Sequence, residues 1–543
     1  MKTFIKRTLQ DFFYLSAILG FAVSLHFISR RMERDLEWTE TTICGEYRTP
    51  VVIIRRRLPS GPSRLLGVRN PPKLLLIHGL SASKSVMMQM GIEMAQSGAE
   101  CYLMDLPGHG ASVERFTWEA SRRAVQEISH WILPAPEKNA PGFPAMDFFL
   151  IGHSLGGGLA IEAAREDAGV TGVIALSPMS VPVARNSPQH LLILYGENDF
   201  PFVRRSAPFL FEETTGISIY PANDLRIWEN PGRTHRLVAL ERAEHSGDLF
   251  LPQAYCEIKG WINRTARNSA LDSDGKAYPA AGVVLNGLQC MAALAAWFPL
   301  FSLAGTALLG LYTWFTKSSR TSRNAHDSFR RPATGFQIYG AYALFSFLTL
   351  LMLKWFDPWD SLQLMGGGFL SGFLSITGIA LFLWKIPPVD ALSFSRINIV
   401  CCLTGFLLLV LYPLALISRY FAFLEMTPLR VWRLPIITLS TFPFFLWDEW
   451  VFRNFLGREG KWQLVLHFLS TRLILAISLM LGFFLLNNAQ FLILLLLPGL
   501  AFLSLLGWIG SGWVFSRTQS CAASALFSSL LTGWIFSTFF VQI

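Results

Sequence analysis

The residues Gly152-His153-Ser154-Leu155-Gly156 form a short motif that is typical of a nucleophilic serine. The motif follows an apolar run at 148–151 and leads into a stretch of small residues that begins with Gly157 and Gly158. A turn this sharp between a strand and a helix needs glycine, because the backbone passes close to neighbouring segments. Such a turn exposes the serine oxygen and directs a helix N-terminus towards it. This context predicts that Ser154 is a nucleophile rather than a chance match in a glycine-rich turn.

A nucleophilic serine needs a base and a carboxylate that orients the base. Asp199 follows the apolar run 191–195, and Glu197, two residues earlier, is the rival acid. His245 follows a second apolar run, 237–240. We expect Asp199 to orient the imidazole of His245, which would take the proton of Ser154 and return it to the leaving group.

Short apolar runs and amphipathic stretches alternate from residue 40 to about residue 265. The predicted strands are 51–55, 73–78, 100–105, 148–152, 170–176, 191–196 and 237–240, and helix-like stretches include 86–97, 117–131 and 157–167. This alternation predicts a mostly parallel α/β sheet flanked by helices. Ser154, Asp199 and His245 each follow one of these strands.

Residues 50–265 resemble the α/β-hydrolase superfamily, with the lysophospholipase and monoacylglycerol-lipase-like branch closest. The order Ser154, Asp199, His245 matches that of the superfamily, and the segment 105–112 is similar to its loop after the fourth strand. The resemblance implies a Ser-His-Asp mechanism with an acyl-enzyme intermediate. It also implies an oxyanion hole formed by the amides of Leu80 and Leu155, and a structural role for His78.

The connection between the sixth and seventh predicted strands is only the segment 177–189. Many members of the superfamily insert a lid of several helices there. We therefore expect an open pocket, or one that the membrane surface or the C-terminal region covers, which favours an amphiphilic ester or thioester as substrate.

The composition points to a membrane protein. The chain of 543 residues is 52% hydrophobic and only 15% charged, with a mean hydropathy of +0.39, whereas soluble domains carry about 25% charged residues. The net charge of +9 is explained better by loops at lipid headgroups than by nucleic acid. We find no nucleic-acid motif and no zinc-ligand pattern, we expect no cofactor or metal, and the seven scattered cysteines indicate no disulfide framework.

Four regions follow from the pattern of charge and hydropathy. Residues 1–39 contain an apolar segment, 11–28, flanked by basic residues, which we interpret as a signal anchor, with a cleaved signal as the alternative. The hydrolase domain is predicted at 40–267, a linker at 268–288 and a polytopic all-α membrane domain at 289–543. About eight spans are predicted in the last region, at 289–315, 335–353, 362–384, 397–417, 434–447, 473–488, 491–513 and 521–541.

Basic residues concentrate in the loop 316–334, which is therefore the best candidate for the cytoplasmic side. The hydrolase domain would then lie on the non-cytoplasmic side of a plasma or inner membrane. The expected partners are membrane lipids or an acylated substrate, and the sequence gives no indication of oligomeric state.

Asp448, Glu449 and Arg453 form the most unusual group in the apolar region, since ionisable residues there are costly. One interpretation is an interfacial salt bridge on one helix face. The other is a resemblance of residues 340–543 to the CAAX-protease and bacteriocin-processing family of intramembrane proteases. Where that family has histidines, this chain has Asn487 and Ser528. The resemblance therefore implies a degenerate domain that is not an active protease.

Three functions remain open from the sequence. The first is a membrane-anchored serine hydrolase that cleaves an ester, thioester or amide bond of a lipid-like substrate. The second is an intramembrane CAAX-type protease with an accessory hydrolase domain. The third is a membrane scaffold with a vestigial triad, which the complete set Ser154, Asp199 and His245 disfavours.

Overall fold

The computed structural model of the chain describes residues 33–57, 71–133, 146–219, 227–229, 235–267, 335–388, 426–454, 461–485 and 491–543, with single positions within 20–28, at 271 and 288, and within 398–407. These residues form two compact units. We call them the sheet unit, which lies within Phe21–Ala292 and includes Val541–Ile543, and the helical unit, which lies within Ala293–Leu416 and Pro428–Phe540.

The sheet unit contains nine strands. They are β1 (Leu36–Cys44), β2 (Arg48–Arg56), β3 (Lys73–Ile77), β4 (Glu100–Met104), β5 (Phe148–His153), β6 (Gly172–Leu176), β7 (Leu191–Gly196), β8 (Ile227–Glu229) and β9 (His235–Leu240). Their order across the sheet is β1-β2-β4-β3-β5-β6-β7-β9-β8. The six strands from β4 to β9 in this order are parallel to one another, and β1, β2 and β8 are antiparallel to their neighbours.

The chain order reverses at β3, because β4 pairs with one side of β3 and β5 pairs with the other. In open α/β sheets, ligands bind beside the carboxyl ends of the strands at such a switch point. The loops after β3 and β5 therefore meet where a site is expected.

The central strands are apolar on both faces, as expected of strands covered by helices on both sides. In β5, Phe149 and Ile151 face one buried cluster, while Phe148 and Leu150 face the other. Five helices cover the sheet: α1 (Met88–Gln96), α2 (Trp118–Ile132), α3 (Leu155–Glu166), α4 (Pro201–Thr215) and α5 (Pro252–Thr265). This three-layer unit has the α/β-hydrolase fold that the sequence predicts.

Two strands were not predicted from the sequence. In β1, exposed polar residues alternate with partly buried ones, and β8 has only three residues, so neither contains an apolar run. The predicted boundary between residues 39 and 40 falls inside β1, and the sheet unit therefore includes residues that the sequence assigned to the anchor region.

The helical unit contains α6 (Gly335–Trp355), α7 (Gly367–Trp384), the short α8 (Pro428–Val431), α9 (Arg433–Asn454), α10 (Lys461–Leu485), α11 (Phe491–Thr518) and α12 (Cys521–Phe539). Among the described residues, five helices are long and apolar enough to span a membrane, namely α6, α7, α10, α11 and α12. They overlap the predicted spans at 335–353, 362–384, 473–488, 491–513 and 521–541, although α10 begins well before residue 473.

The other predicted spans have different outcomes. The segment 434–447 lies in α9, a helix that is not one of the five and that carries Asp448, Glu449 and Arg453 near its end. The segment 289–315 lies outside the described residues, and 397–417 is described only at a few positions. The N-terminal transmembrane helix predicted at 11–28 is not shown, since most of it also lies outside the described residues.

Candidate active site

Ser154 lies in a tight turn between β5 and α3, with a backbone φ of 54° and ψ of −113°. A Cβ on Gly152 would lie 2.1 Å from the backbone oxygen of Gly156, and a Cβ on Gly156 would lie 2.3 Å from that of Ile77. No side chain fits at either position. The two glycines let the chain turn back tightly enough to raise Ser154 from the edge of the sheet.

The structure brings Ser154, His245 and Asp199 into one hydrogen-bonded chain. His245 Nδ1 lies 2.9 Å from Asp199 Oδ1, and His245 Nε2 lies 3.0 Å from Ser154 Oγ. Since the carboxylate can only accept, Nδ1 carries the proton and Nε2 is left to accept from the serine hydroxyl. This tautomer is the one that a general base acting on Ser154 requires.

Asp199 is buried and receives three hydrogen bonds. The donors are His245, the hydroxyl of Ser177 and the backbone amide of Phe200, 2.6 Å from Oδ1. Burial alone would raise the pKa of Asp199, but the hydrogen bonds from His245 and Ser177 outweigh it and hold the pKa below its ordinary value. Asp199 is therefore ionised when it faces the imidazole.

Glu197, the rival acid, is not part of this chain. Its Oε2 accepts from the backbone amide of Arg242 at the protein surface, over 3.3 Å. His78 is also not part of this chain, because both of its ring nitrogens bond to backbone. Its Nδ1 donates to Gly79 O over 2.8 Å, and its Nε2 accepts from Leu106 N over 3.1 Å.

Leu80 lies in the loop after β3, next to the serine turn. A Cβ on Gly79 would lie 3.2 Å from Ser154 Cβ, so the residue before Leu80 packs against the turn that carries Ser154. A buried ion pair between Lys84 and Asp105 joins this loop to the segment 105–112. Asp105 Oδ2 also accepts from Ala111 N over 3.0 Å. Asp105 thus holds together the segment 105–112, which is similar to the superfamily's loop after the fourth strand, and ties it to the loop after β3.

Two residues beside His245 were not identified from the sequence. His153 is buried, and its ring lies 5.0 Å from that of His245, measured between centroids. Its Nε2 donates to His245 O over 2.8 Å. Asp248, fully buried, places its Oδ1 3.5 Å from the same nitrogen. His153 directly precedes Ser154, and Asp248 follows His245 by three residues. This closeness in sequence to predicted site residues was the signal that could have identified them.

Burial keeps this inner pair uncharged. Burial and the neighbouring His245 lower the pKa of His153 to about 4. Burial raises the pKa of Asp248 well above its ordinary value, which favours the neutral carboxylic acid. Asp199 is therefore the charged carboxylate that faces His245, whereas Asp248 lies beside His153 as the neutral acid.

The connection from β6 to β7 contains no helix, and every residue in it is described. The short lidless connection predicted from the sequence is present. Across the described part of the chain, no group of three His, Cys, Asp or Glu side chains could hold a metal ion.

The helical unit contains a second polar cluster. Arg472 binds Asp448 through both terminal nitrogens, at 3.0 and 2.6 Å, and its Nε donates to Ser504 over 2.8 Å. Tyr342 also donates to Asp448. Glu449 accepts from Arg453 Nε over 2.9 Å and from the hydroxyl of Ser511. Both acids are buried, so the salt bridge expected from the sequence is part of a larger network.

A cavity of about 150 Å³ lies beside this cluster. Its walls are mostly leucine and phenylalanine, and Ser528 lines it together with Asp448 and Glu449. Asn487, predicted for the same site, lies outside the described residues. Arg472 was missed because the predicted span began at residue 473, whereas α10 begins at Lys461.

Residues 70–204 match the family described as serine aminopeptidase, S33. The match spans about a quarter of the chain and includes Ser154 and Asp199, but ends before His245. These residues form an α/β-hydrolase domain, in agreement with the sheet topology. No curated protein matches the chain.

Solved structures of hydrolases are similar to part of the chain. A Thermoplasma acidophilum hydrolase described as CIB-like is 19% identical and aligns 41% of this chain with 96% of its own, at a TM-score of 0.30. A membrane phospholipase A, described as a bacterial virulence factor, is 13% identical, with 49% and 99% aligned and a TM-score of 0.31. The α/β hydrolase GrgF from a Penicillium species is 13% identical, with 42% and 98% aligned and a TM-score of 0.31. These low scores add no argument about function.

Proposed function

We propose that the chain is a membrane-associated serine hydrolase that cleaves an ester, thioester or amide bond of a lipid-like substrate. In this proposal Ser154 is the nucleophile, His245 the general base and acid, and Asp199 the carboxylate that orients His245. The hydrogen-bonded chain of Asp199, His245 and Ser154 on a strand-to-helix turn carries the proposal.

The mechanism follows from these contacts. Ser154 Oγ attacks the carbonyl carbon while its proton passes to His245 Nε2, and Asp199 stabilises the imidazolium. The oxyanion would accept from the amides of Leu80 and Leu155. Collapse breaks the bond to the leaving group, which takes the proton from His245. Water then attacks the acyl-enzyme by the same route, releasing the carboxylic acid and restoring Ser154.

Three observations support a membrane and lipid setting. Five described helices are apolar enough to span a bilayer. No lid covers the serine from the β6–β7 connection. The composition is unusually apolar. The basic loop at 316–334 favours a sheet unit on the non-cytoplasmic side of a plasma or inner membrane.

A fluorophosphonate probe tests the proposal, because it reacts with activated serines. The full-length protein should be labelled at Ser154, and Ser154→Ala should abolish the labelling. Ser129→Ala is the matched control, since the Ser129 hydroxyl donates to Val125 O within its own helix. Labelling that survives in Ser154→Ala, or its absence from the native chain, contradicts the proposal.

Peptide hydrolysis is the second candidate, because the matching family is described as serine aminopeptidase. The triad chemistry is the same for esters and amides, so only substrates distinguish them. Faster turnover of amino-acid anilides than of p-nitrophenyl esters, lost in Ser154→Ala, would favour a peptidase.

The helical unit is proposed not to be a protease. A catalytic glutamate must be available to activate water, whereas Glu449 is held by Arg453 and Ser511, and Asp448 by Arg472 and Tyr342. Peptide cleavage that persists in Ser154→Ala but disappears in Glu449→Ala would show an intramembrane protease instead.

A further inference from the structure

Helix α4 has apolar residues on two opposite faces. Val203, Leu210 and Phe211 are buried in the core. Phe202 and Phe209 lie on the outer face and are 49% and 52% exposed. Positions 202, 205, 206 and 209 follow the spacing of one helix face. The core of the sheet unit therefore accounts for only one of the two faces.

A surface groove of about 660 Å³ follows the outer face. It is lined by Ser180, Pro201, Phe202, Arg205, Ser206 and Phe209. The groove is shallow and widely open to solvent, so it would cover one side of a bound chain. The β6–β7 connection lies along the groove through Ser180 but adds no helix that would cover it.

The groove begins beside the proposed nucleophile. Met179, the neighbour of Ser180, donates its amide to Ser154 O over 2.9 Å. The Phe200 ring lies 5.0 Å from the His245 ring and stacks on Phe202 at 5.5 Å with nearly parallel planes. An apolar path thus leads from His245 through Phe200 and Phe202 into the groove.

We propose that this groove binds the acyl chain of the substrate, so that the enzyme prefers medium- or long-chain acyl esters or thioesters to short-chain ones. The inference rests on the proposed function of Ser154. With the carbonyl carbon at Ser154, the chain leaves along Phe200 and Phe202 towards Phe209. Phe202 and Phe209 are seven positions apart on the helix, a rise of about 10 Å, which accommodates several methylene groups.

Arg205 is also compatible with a groove that binds an acyl chain. It lies between the two phenylalanines on the outer face, and among the described residues it makes no ion pair. Its aliphatic stem adds apolar wall to the groove, while the guanidinium stays in water. The two phenylalanine rings and Pro201 form the apolar part of this face, and they suit an acyl chain better than a peptide backbone, which needs polar partners.

The test is a chain-length series on the full-length protein in nanodiscs. The kcat/KM is measured for p-nitrophenyl esters from acetate to decanoate, and the decanoate-to-acetate ratio is compared between variants. Each fully buried methylene can contribute a factor of up to about four, so we expect a native ratio above about tenfold. Phe202→Ser and Phe209→Ser should each lower the ratio by about fivefold or more.

Trp131→Ser is the matched control, because Trp131 is an aromatic residue of similar exposure, 48%, on helix α2 and outside the groove. It should leave the ratio unchanged. Ser206→Trp is a second, opposite variant, which should lower the ratio by filling the groove. Fluorophosphonate labelling of each variant shows whether the Ser154 site is assembled.

The possible results distinguish a failure of the proposed acyl-chain groove from a failure of the proposed serine hydrolase function. An unchanged ratio in variants that still react with the probe overturns the groove and leaves the serine hydrolase intact. If the decanoate-to-acetate ratio is unchanged but vesicle binding or the oligomeric state is altered, the groove contacts a lipid surface or a second copy of the chain. That result also overturns the proposed acyl-chain site. A native chain that neither reacts with the probe nor cleaves any ester removes both proposals.

Discussion

His153 Nε2 lies 2.8 Å from the backbone oxygen of His245, so the residue before the proposed nucleophile holds the peptide of the proposed base. The bond crosses between the turn after β5 and the loop after β9. It fixes the distance between two loops that the sequence separates by about ninety residues. Since a small misplacement of reacting groups can cost about 10²-fold in rate, this bond matters for the geometry at Ser154.

His153 should also make the sheet unit sensitive to acid. Burial lowers its pKa from 6.5 to about 4. Because the folded protein binds this proton less tightly than the unfolded chain, the stabilisation is complete above about pH 6.5 and is lost as the pH falls to about 4. His153→Gln removes this titration, so the native chain should lose about 3 kcal/mol more than the variant over that interval.

Urea unfolding followed by pulse proteolysis of the sheet unit measures this difference. His130→Gln is the matched control, because it makes the same substitution at a histidine whose side chain is 65% exposed. Parallel pH curves for the native chain and His153→Gln would contradict the assignment of a buried neutral ring.

Asp199→Asn should lower kcat on a short-chain ester by about 10⁴-fold, because an amide in place of the carboxylate favours the wrong tautomer of His245. Glu197→Gln is the control from the same loop and should stay within about threefold of the native rate, since the Glu197 carboxylate accepts from the amide of Arg242 at the surface and is not part of the hydrogen-bonded chain to Ser154. The reverse ranking of the two variants would make Glu197 the orienting acid.

Gly156→Ala should prevent assembly of the Ser154 site. The added Cβ would lie 2.3 Å from the backbone oxygen of Ile77, a contact that requires β3 or α3 to move. Gly247→Ala tests an open position near His245, where no atom lies within 4 Å of the new Cβ. Fluorophosphonate labelling should be lost in the first variant and retained in the second, and equal labelling would show that the turn tolerates side chains.

Arg472→Leu should destabilise the helical unit by about 3–5 kcal/mol, because Asp448 would remain buried without its cation. The double variant Asp448→Leu with Arg472→Leu should recover most of the loss, since no charge is left unpaired. Thermal unfolding of the full chain in detergent measures both. Lys354→Leu, a change at an exposed cation, should have little effect. A double variant no more stable than Arg472→Leu would rule out the ion pair as the cause.

The sequence by itself determined seven of the nine strands, the glycine turn at Ser154 and the presence of the five apolar helices. These features are local, because each depends on residues that are neighbours in the sequence. Apolar runs of strand length predict strands, the glycines around Ser154 predict the turn, and long uncharged stretches predict apolar helices. The weakly patterned edge strands β1 and β8 were missed for the same reason, because they contain no apolar run.

Only the tertiary structure decided which polar groups meet. It separated Asp199 from Glu197, placed His153 against His245, paired Arg472 with Asp448 and aligned Phe200 and Phe202 with the groove on α4. The contacts of His245 with Asp199 and His153, and of Arg472 with Asp448, join segments distant in sequence, and their distances depend on how strands and helices pack. Residue types and their spacing in the sequence identify the side chains that are capable of chemistry. The packing of strands and helices determines which partners each of these side chains contacts.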